Sequence, residues 1–150
     1  MKITKILVPT DYSACSAEAI RLAVSLAEPL GARLFLLHVM AKEMAEALLS
    51  TPGLSREMLD AKEEDSLREL FSEALVDENQ LSLLQQTLVE IGDPAEKIVT
   101  TAFLIGANMI VIPTYGQREP SPDTVGSVTE RVVRTAPCPV LTIQAACCGE

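Results

Sequence analysis

The chain has no tryptophan, and only 3% of its residues are aromatic. Its core must therefore be aliphatic, and the stacking platforms of single-stranded nucleic-acid binders are missing. Positive charge is also scarce. Twelve Lys and Arg against 21 Asp and Glu give a net charge of -9 and a pI near 4.6. Long-range repulsion then opposes DNA, RNA and anionic lipid, so neither nucleic acid nor membrane is an expected partner. A small phosphorylated ligand is compatible with this charge, because local backbone dipoles outweigh global charge inside a cleft. There is one histidine, and no G-x-x-x-x-G-K-[ST] loop, H-E-x-x-H motif or G-x-S-x-G elbow. Hydrolysis would need a base and a bound metal that these residues do not supply, so no catalytic residue is assigned and no enzyme is expected. Cys15, Cys138, Cys147 and Cys148 show neither C-x-x-C nor zinc-finger spacing. Free thiols in a reducing compartment are the expectation. No apolar run reaches membrane-spanning length, and the first one is too short for a signal peptide. The expected location is cytoplasmic.

What is present is a globular composition, 48% hydrophobic and 22% charged over 150 residues. It predicts a single domain over 1–150, with about 144–150 as a flexible tail. Apolar strand-like runs at Ile3 to Val8, Leu34 to Val39, Leu83 to Glu90, Met109 to Ile112 and Val140 to Ile143 alternate with helical patterns. Ser13 is a candidate N-cap for a helix to about Glu28, with Ala17, Ile20, Val24 and Ala27 inward and Gly31 closing it. A short helical turn is expected within 41–53. From Ser55 to Val76 the spacing of Leu67, Leu70, Phe71, Ala74 and Leu75 is helical, with an acidic outer face of Glu57, Glu63, Glu64, Asp65, Glu69 and Glu73. Asp93-Pro94-Ala95-Glu96 combines an N-cap, an N1 proline and a capping-box glutamate. Ile98, Ala102 and Ile105 form the inward stripe of that helix, with Gly106 as its C-terminal cap. Ser127 and Glu130 are read as a second capping box, in a helix ended by Pro137-Cys-Pro139. Alternating strand and helix with short connections implies an α/β fold, a parallel sheet covered on both faces.

In such sheets a ligand lies beyond the C-terminal strand edges, where strand order reverses. If the first and fourth strands are central neighbours, Pro9-Thr10-Asp11 faces Pro113-Thr114 across that crevice. After Pro113 the chain runs through Gly116 and a nine-residue loop to Gly126-Ser127, which opens a helix. A helix amino end exposes unpaired N–H groups and the positive end of the dipole, which attract phosphate. Asp11 suits a ribose hydroxyl or an adenine amino group, and equally a helix cap. His38, with no second His or Cys cluster beside it, reads as a hydrogen-bonded structural histidine.

Four segments carry a resemblance over nearly the whole chain. They are Ile6-Leu-Val-Pro-Thr-Asp-Tyr-Ser13, Leu37-His-Val39, Gly92-Asp-Pro-Ala-Glu-Lys-Ile-Val99, and Gly126-Ser-Val-Thr-Glu-Arg-Val-Val133 leading into Ala136-Pro-Cys-Pro-Val-Leu141. The chain resembles a single-domain member of the universal stress protein family. That resemblance implies a five-stranded parallel sheet in the order 3-2-1-4-5, an adenine nucleotide α-hydrolase-like fold, and a stress-response role. It also implies a homodimer through the last strand, about Val140 to Ile143, and a regulatory adenine nucleotide, ATP or AMP, with or without a divalent metal. Carried onto this sequence, Pro9, Thr10, Asp11 and Val39 would flank adenine and ribose. Pro113, Thr114, Tyr115, Gly116, Gln117 and Arg118, with Gly126, Ser127, Val128 and Thr129, would face the phosphates. The alternative is a member that binds no nucleotide and acts as a protein-interaction module, its protein partner unknown.

The pattern of nucleotide-binding members is a glycine, two residues, a second glycine, nine residues, then Gly-Ser or Gly-Thr. Gly116, Gly126 and Ser127 fit it; the first position is Pro113. Proline removes a backbone donor and adds a ring where phosphates pass. Pro120 and Pro122 stiffen the loop, and Glu119 and Asp123 add negative charge that only Arg118 opposes there. One lost charge-assisted hydrogen bond costs about 1.5–3 kcal/mol, roughly ten- to a hundredfold in affinity. A smaller nucleotide such as AMP loses less.

Overall fold

Strand and helix alternate as the hydrophobic pattern requires. The computed structural model describes residues 1–114 and 125–144. In it β1 (Lys5–Pro9) leads to α1 (Ala14–Leu30), β2 (Arg33–Met40), α2 (Lys42–Leu49) and α3 (Arg56–Glu73). A 3-10 helix at Glu78–Leu83 precedes β3 (Leu84–Ile91), α4 (Pro94–Ile105), β4 (Met109–Pro113), α5 (Ser127–Thr135) and β5 (Val140–Ile143). The strands form one parallel five-stranded sheet in the order β3-β2-β1-β4-β5. This is the expected order.

The period of two in the strands sorts the core into two layers. Ile6, Val8, Leu34, Leu36 and Val111 pack against α1 and α3 through Ala19, Ile20, Ala23, Val24, Leu67 and Phe71. Leu7, Phe35, Leu37, Ile110 and Ile112 point the other way, onto Ala95, Ile98 and Ala102 of α4 and Val132 of α5. Each inner strand thus carries a continuous apolar run, residues 6–9 in β1, 34–37 in β2 and 109–113 in β4, because both of its faces are covered. A smaller cluster of Met40, Ala45 and Leu59 fastens α2 beside the end of β2.

Several helix boundaries follow from caps that the sequence displays. Ser13 Oγ accepts from Ser16 N–H at 3.2 Å, and Gly31 closes α1 in the left-handed region at φ 66°. Asp93 Oδ2 accepts from Glu96 N–H at 3.0 Å, with Pro94 at N1. Some readings need correction, and one element was not read. Ala17 is only half-buried, and Ala19 and Ala23 join the inward stripe of α1. The 3-10 segment has no periodicity that announces it; Asp77 and Gln80 form its capping box through short-range bonds. Ser127 does not cap α5: the N-cap is Gly126, Ser127 is the first helical residue, and no side-chain cap bond is made. Gly126 N–H donates to the Thr114 carbonyl at 2.7 Å, which fixes the helix start one residue early, while Glu130 takes Arg134 at 2.8 Å. Finally, Cys15 is disulfide-bonded rather than a free thiol, whereas Cys138 is free. Sequence spacing is silent on such a bond because pairing depends on approach in space. Cys147 and Cys148 lie outside the described residues.

Phe71 is fully buried in the layer under α1. Phe71→Ala should lower unfolding free energy by about 3–5 kcal/mol, read from the urea midpoint at unchanged slope; a loss of under about 1 kcal/mol would contradict this core assignment. A second test uses the ion pair joining α4 to α5, Arg131 Nη1 to Asp93 Oδ1 at 2.9 Å. The Arg131 hydrogen bond, then the Glu96 N–H, hold the Asp93 carboxyl below its ordinary range. A depressed folded pKa means stability that is present above the unfolded value of about 3.9 and lost as pH falls through the folded one. Both partners are largely exposed, so the effect is small. Asp93→Asn keeps a cap acceptor. The stability gap between parent and variant should close below about pH 4; a gap that stays constant from pH 7 to 3 would show that the ion pair contributes nothing.

Candidate functional site

The site begins with two prolines. Thr10 N–H donates to Leu37 of β2 at 2.8 Å, and Thr114 N–H to Ile143 of β5 at 2.9 Å. Successive N–H groups of a strand point to opposite neighbours. The nitrogen of Pro9 therefore faces β4, and that of Pro113 faces β1. Neither can donate, so two rungs between the central strands are missing at the same level. The β1–β4 register accordingly runs only through Ile6↔Met109 and Leu7↔Ile110, whereas β1–β2 continues to Pro9↔Leu37. The strands part at their C-terminal ends, where strand order reverses.

A cavity of about 450 Å³ occupies that opening. Pro9, Thr10, Asp11, Val39, Pro113, Gly126, Ser127, Val128 and Thr129 line it, and all nine are positions singled out in the sequence. Thr114 is not among the lining residues. Tyr115, Gly116, Gln117 and Arg118 lie outside the described residues. The sequence reading missed the wall formed by Met40, Ala41 and Met44 where β2 runs into α2, and the wall formed by Pro94 and Ile98 of α4. A signal existed: strands flanking a reversal point also end at the crevice, so the residues following them belong to it. Ser16, Leu37, His38 and Ile112 complete the lining.

Hydrogen bonds fix the polar edge. Asp11 Oδ1 accepts from Ser13 N–H at 3.0 Å. Asp11 thus braces the residue that caps α1 while lining the cavity, and the cap itself is Ser13. Thr10 Oγ1 donates to Ser16 Oγ at 2.7 Å, and Ser16 Oγ to the Ser13 carbonyl at 2.8 Å. His38 Nδ1 lies 2.9 Å from the Thr10 carbonyl; a carbonyl only accepts, so this nitrogen carries the proton. The expectation of a hydrogen-bonded histidine is met. On the far side the buried Thr129 hydroxyl donates to the Pro113 carbonyl at 2.7 Å. This bond and the Gly126–Thr114 bond fasten the start of α5 onto the end of β4.

The cavity has two chemical ends. Leu37, Val39, Met40, Met44, Ile98 and Ile112 make one part apolar, with Asp11 and Thr10 at its edge. At the other end α5 begins at Gly126, which has no side chain to cap the N–H groups of Ser127, Val128 and Thr129. Helices α1, α3 and α4, by contrast, use Ser13, Ser55 and Asp93 as side-chain caps. Thr114 Oγ1, immediately after β4, is buried without a hydrogen-bond partner. Among the described residues no lysine or arginine lines the cavity. No group of three or more His, Cys, Asp or Glu is placed to hold a metal among them either. The arrangement can therefore receive an apolar ring, hydroxyls and a modest negative charge.

Relatives share this sequence pattern and fold. Universal stress protein MJ0531 of Methanocaldococcus jannaschii is 30% identical over 142 residues, spanning 93% of this chain and 81% of the relative. Among solved structures, the universal stress protein UspA from Lactobacillus plantarum superposes with a TM-score of 0.76 at 28% identity, covering 96% of this chain and 99% of that one. A universal stress protein from Archaeoglobus fulgidus in complex with dAMP gives 0.61 at 22% identity, covering 96% and 100%. Another, in complex with cAMP, gives 0.64 at 19% identity, covering 96% and 98%. These last two likenesses concern the fold. The model of the universal stress protein family matches residues 2–144, and the chain belongs to that family.

Proposed function

We propose that this chain is a regulatory stress-response protein whose sheet-edge cavity takes an adenine nucleotide, AMP in preference to ATP. The observation that carries the reading is the uncapped amino end of α5 opening into the cavity opposite Asp11. Adenine fits between the apolar walls, Asp11 and Thr10 suit ribose hydroxyls, and one phosphate suits the first-turn N–H groups of α5. Related structures holding dAMP and cAMP support the same ligand class. The preference for a single phosphate comes from the cavity's own chemistry. Pro113 contributes no donor, and Asp11 is the one formally charged residue among the described lining. No catalytic step is assigned, and the family is generally regulatory. The proposal includes pairing of two copies through β5, an edge strand of the sheet, and a single domain over the chain. It also includes a cytoplasmic location, against which the Cys15 disulfide weighs, because reducing compartments keep thiols reduced.

Pro113 also favours a second reading, a family member that binds no nucleotide and works through protein contacts. Titration calorimetry separates the two. AMP should bind the parent protein, and ATP about tenfold or more weaker. Gly126→Asp, which places a carboxylate at the amino end of α5, should abolish the heat. Absence of heat with either nucleotide would sink the nucleotide reading. Under the second reading Pro113→Gly gains an affinity that the parent lacks; equal affinity in parent and variant would remove its basis.

A further inference from the structure

Tyr12 has a backbone that tyrosine rarely adopts. Its φ of 65° is the one positive value at a non-glycine position among the described residues. Glycine would occupy that conformation without strain, so the position uses the side chain. The phenol donates to Glu63 Oε2 of α3 at 2.7 Å, across 51 positions of sequence. The ring lies 4.6 Å from that of His38, which is itself bonded to the Thr10 carbonyl. Burial and the neighbouring Glu63 carboxylate keep the phenol protonated, and so a donor, far above neutral pH. Around it, Tyr12 N–H donates to Thr10 Oγ1 at 3.1 Å and Ser13 N–H to Asp11 Oδ1 at 3.0 Å. Thr10, where the turn begins, is tied to β2 by its N–H, which donates to the Leu37 carbonyl, and by its carbonyl, which accepts from His38. Tyr12 is what joins the turn to α3.

Glu63 supplies an independent observation. Leu59, Glu63, Leu67 and Phe71 recur at four-residue intervals on α3, and the three apolar members are buried. A half-buried carboxylate therefore interrupts the inward stripe at the position that meets Tyr12. An aliphatic residue there would suit the helix better, and the phenol gives the acid its use.

We propose that Tyr12 is a positioning residue which, braced on Glu63, holds the left-handed turn that sets Asp11 at the cavity and thereby couples α3 to ligand binding. The ligand half of this statement rests on the nucleotide reading above; the bracing half does not. The experiment uses the full chain, AMP as the probe, and four variants. Tyr12→Phe and Glu63→Leu remove the bond. Glu63→Gln keeps an acceptor, and the fourth variant combines the first two. In ligand-free protein, amide exchange at residues 11–16 should quicken in Tyr12→Phe and Glu63→Leu and return to the parent rate in Glu63→Gln. AMP affinity should fall about three- to tenfold in the same two variants, and no further in the double variant. Glu63→Leu fills an apolar stripe and should retain the parent melting temperature, which separates lost positioning from lost folding. Parent-like exchange in both disrupting variants would overturn the proposal, and so would undiminished AMP affinity in them. If the parent itself takes no AMP, the nucleotide reading fails and the coupling to ligand falls with it, while the exchange rates still decide the bracing.

Discussion

Two nitrogens without hydrogens govern the architecture of the site. A parallel sheet holds its strands with evenly spaced rungs, and an unpaired buried N–H costs about as much as a lost hydrogen bond. Opening the sheet between β1 and β4 would ordinarily strand such donors. Pro9 and Pro113 remove them at the one level where the strands must part, so the crevice carries no orphaned strand N–H there. The ladder on either side is untouched: Thr10 still bonds to β2 and Thr114 to β5. The change of strand order makes a crevice possible at this place, and the prolines set how deep it runs.

That opening must then be walled, and the same local rules supply the walls. The connections after β1, β2, β3 and β4 lead to α1, α2, α4 and α5, which all present residues of their first turns or caps to the space. Two of these helices use side chains as caps and turn toward the protein for their hydrogen bonds. At α5 the cap is glycine, and the helix is secured from beneath by Thr129 on the Pro113 carbonyl instead. The proline therefore acts twice. Its nitrogen releases β1, and its carbonyl anchors the helix whose amino end opens into the cavity.

The strand order came from the family resemblance, whereas the alternating layers were legible because they depend on strong signals: continuous apolar runs, Ser13 and Asp93 as caps, and glycines at helix ends. Of the site, the strand ends and the Gly126–Thr129 segment were legible for the same reason. The wall from Met40 to Met44 was not, since methionine and alanine in a short helix carry no ligand signature of their own. Ser127 was misplaced by one residue because a Ser-x-x-Glu spacing reads as a capping box, whereas a backbone bond from Gly126 to Thr114 set the start. Glu63 was read as part of a solvated acidic face. Its four-residue spacing from Leu59 and Leu67 could have placed it inward, but nothing in the sequence says that Tyr12, 51 positions away, would meet it. The Cys15 disulfide was invisible for a related reason, because approach in space leaves no trace in spacing.

Charge is the last link between this architecture and the kind of ligand it suits. A net charge of -9 works against any anion at long range. Attraction must then come from dipoles close at hand, and these decay within about a helical turn. A single phosphate can sit wholly within reach of the first turn of α5. A triphosphate extends its outer charges past that turn, toward a corner where Pro113 has no donor and where no lysine or arginine lines the described cavity. The resident dipole thus stabilises the first negative charge far more than the second and third. Under the nucleotide reading proposed above, such a cavity would distinguish nucleotides by how much charge they bring as well as by their base.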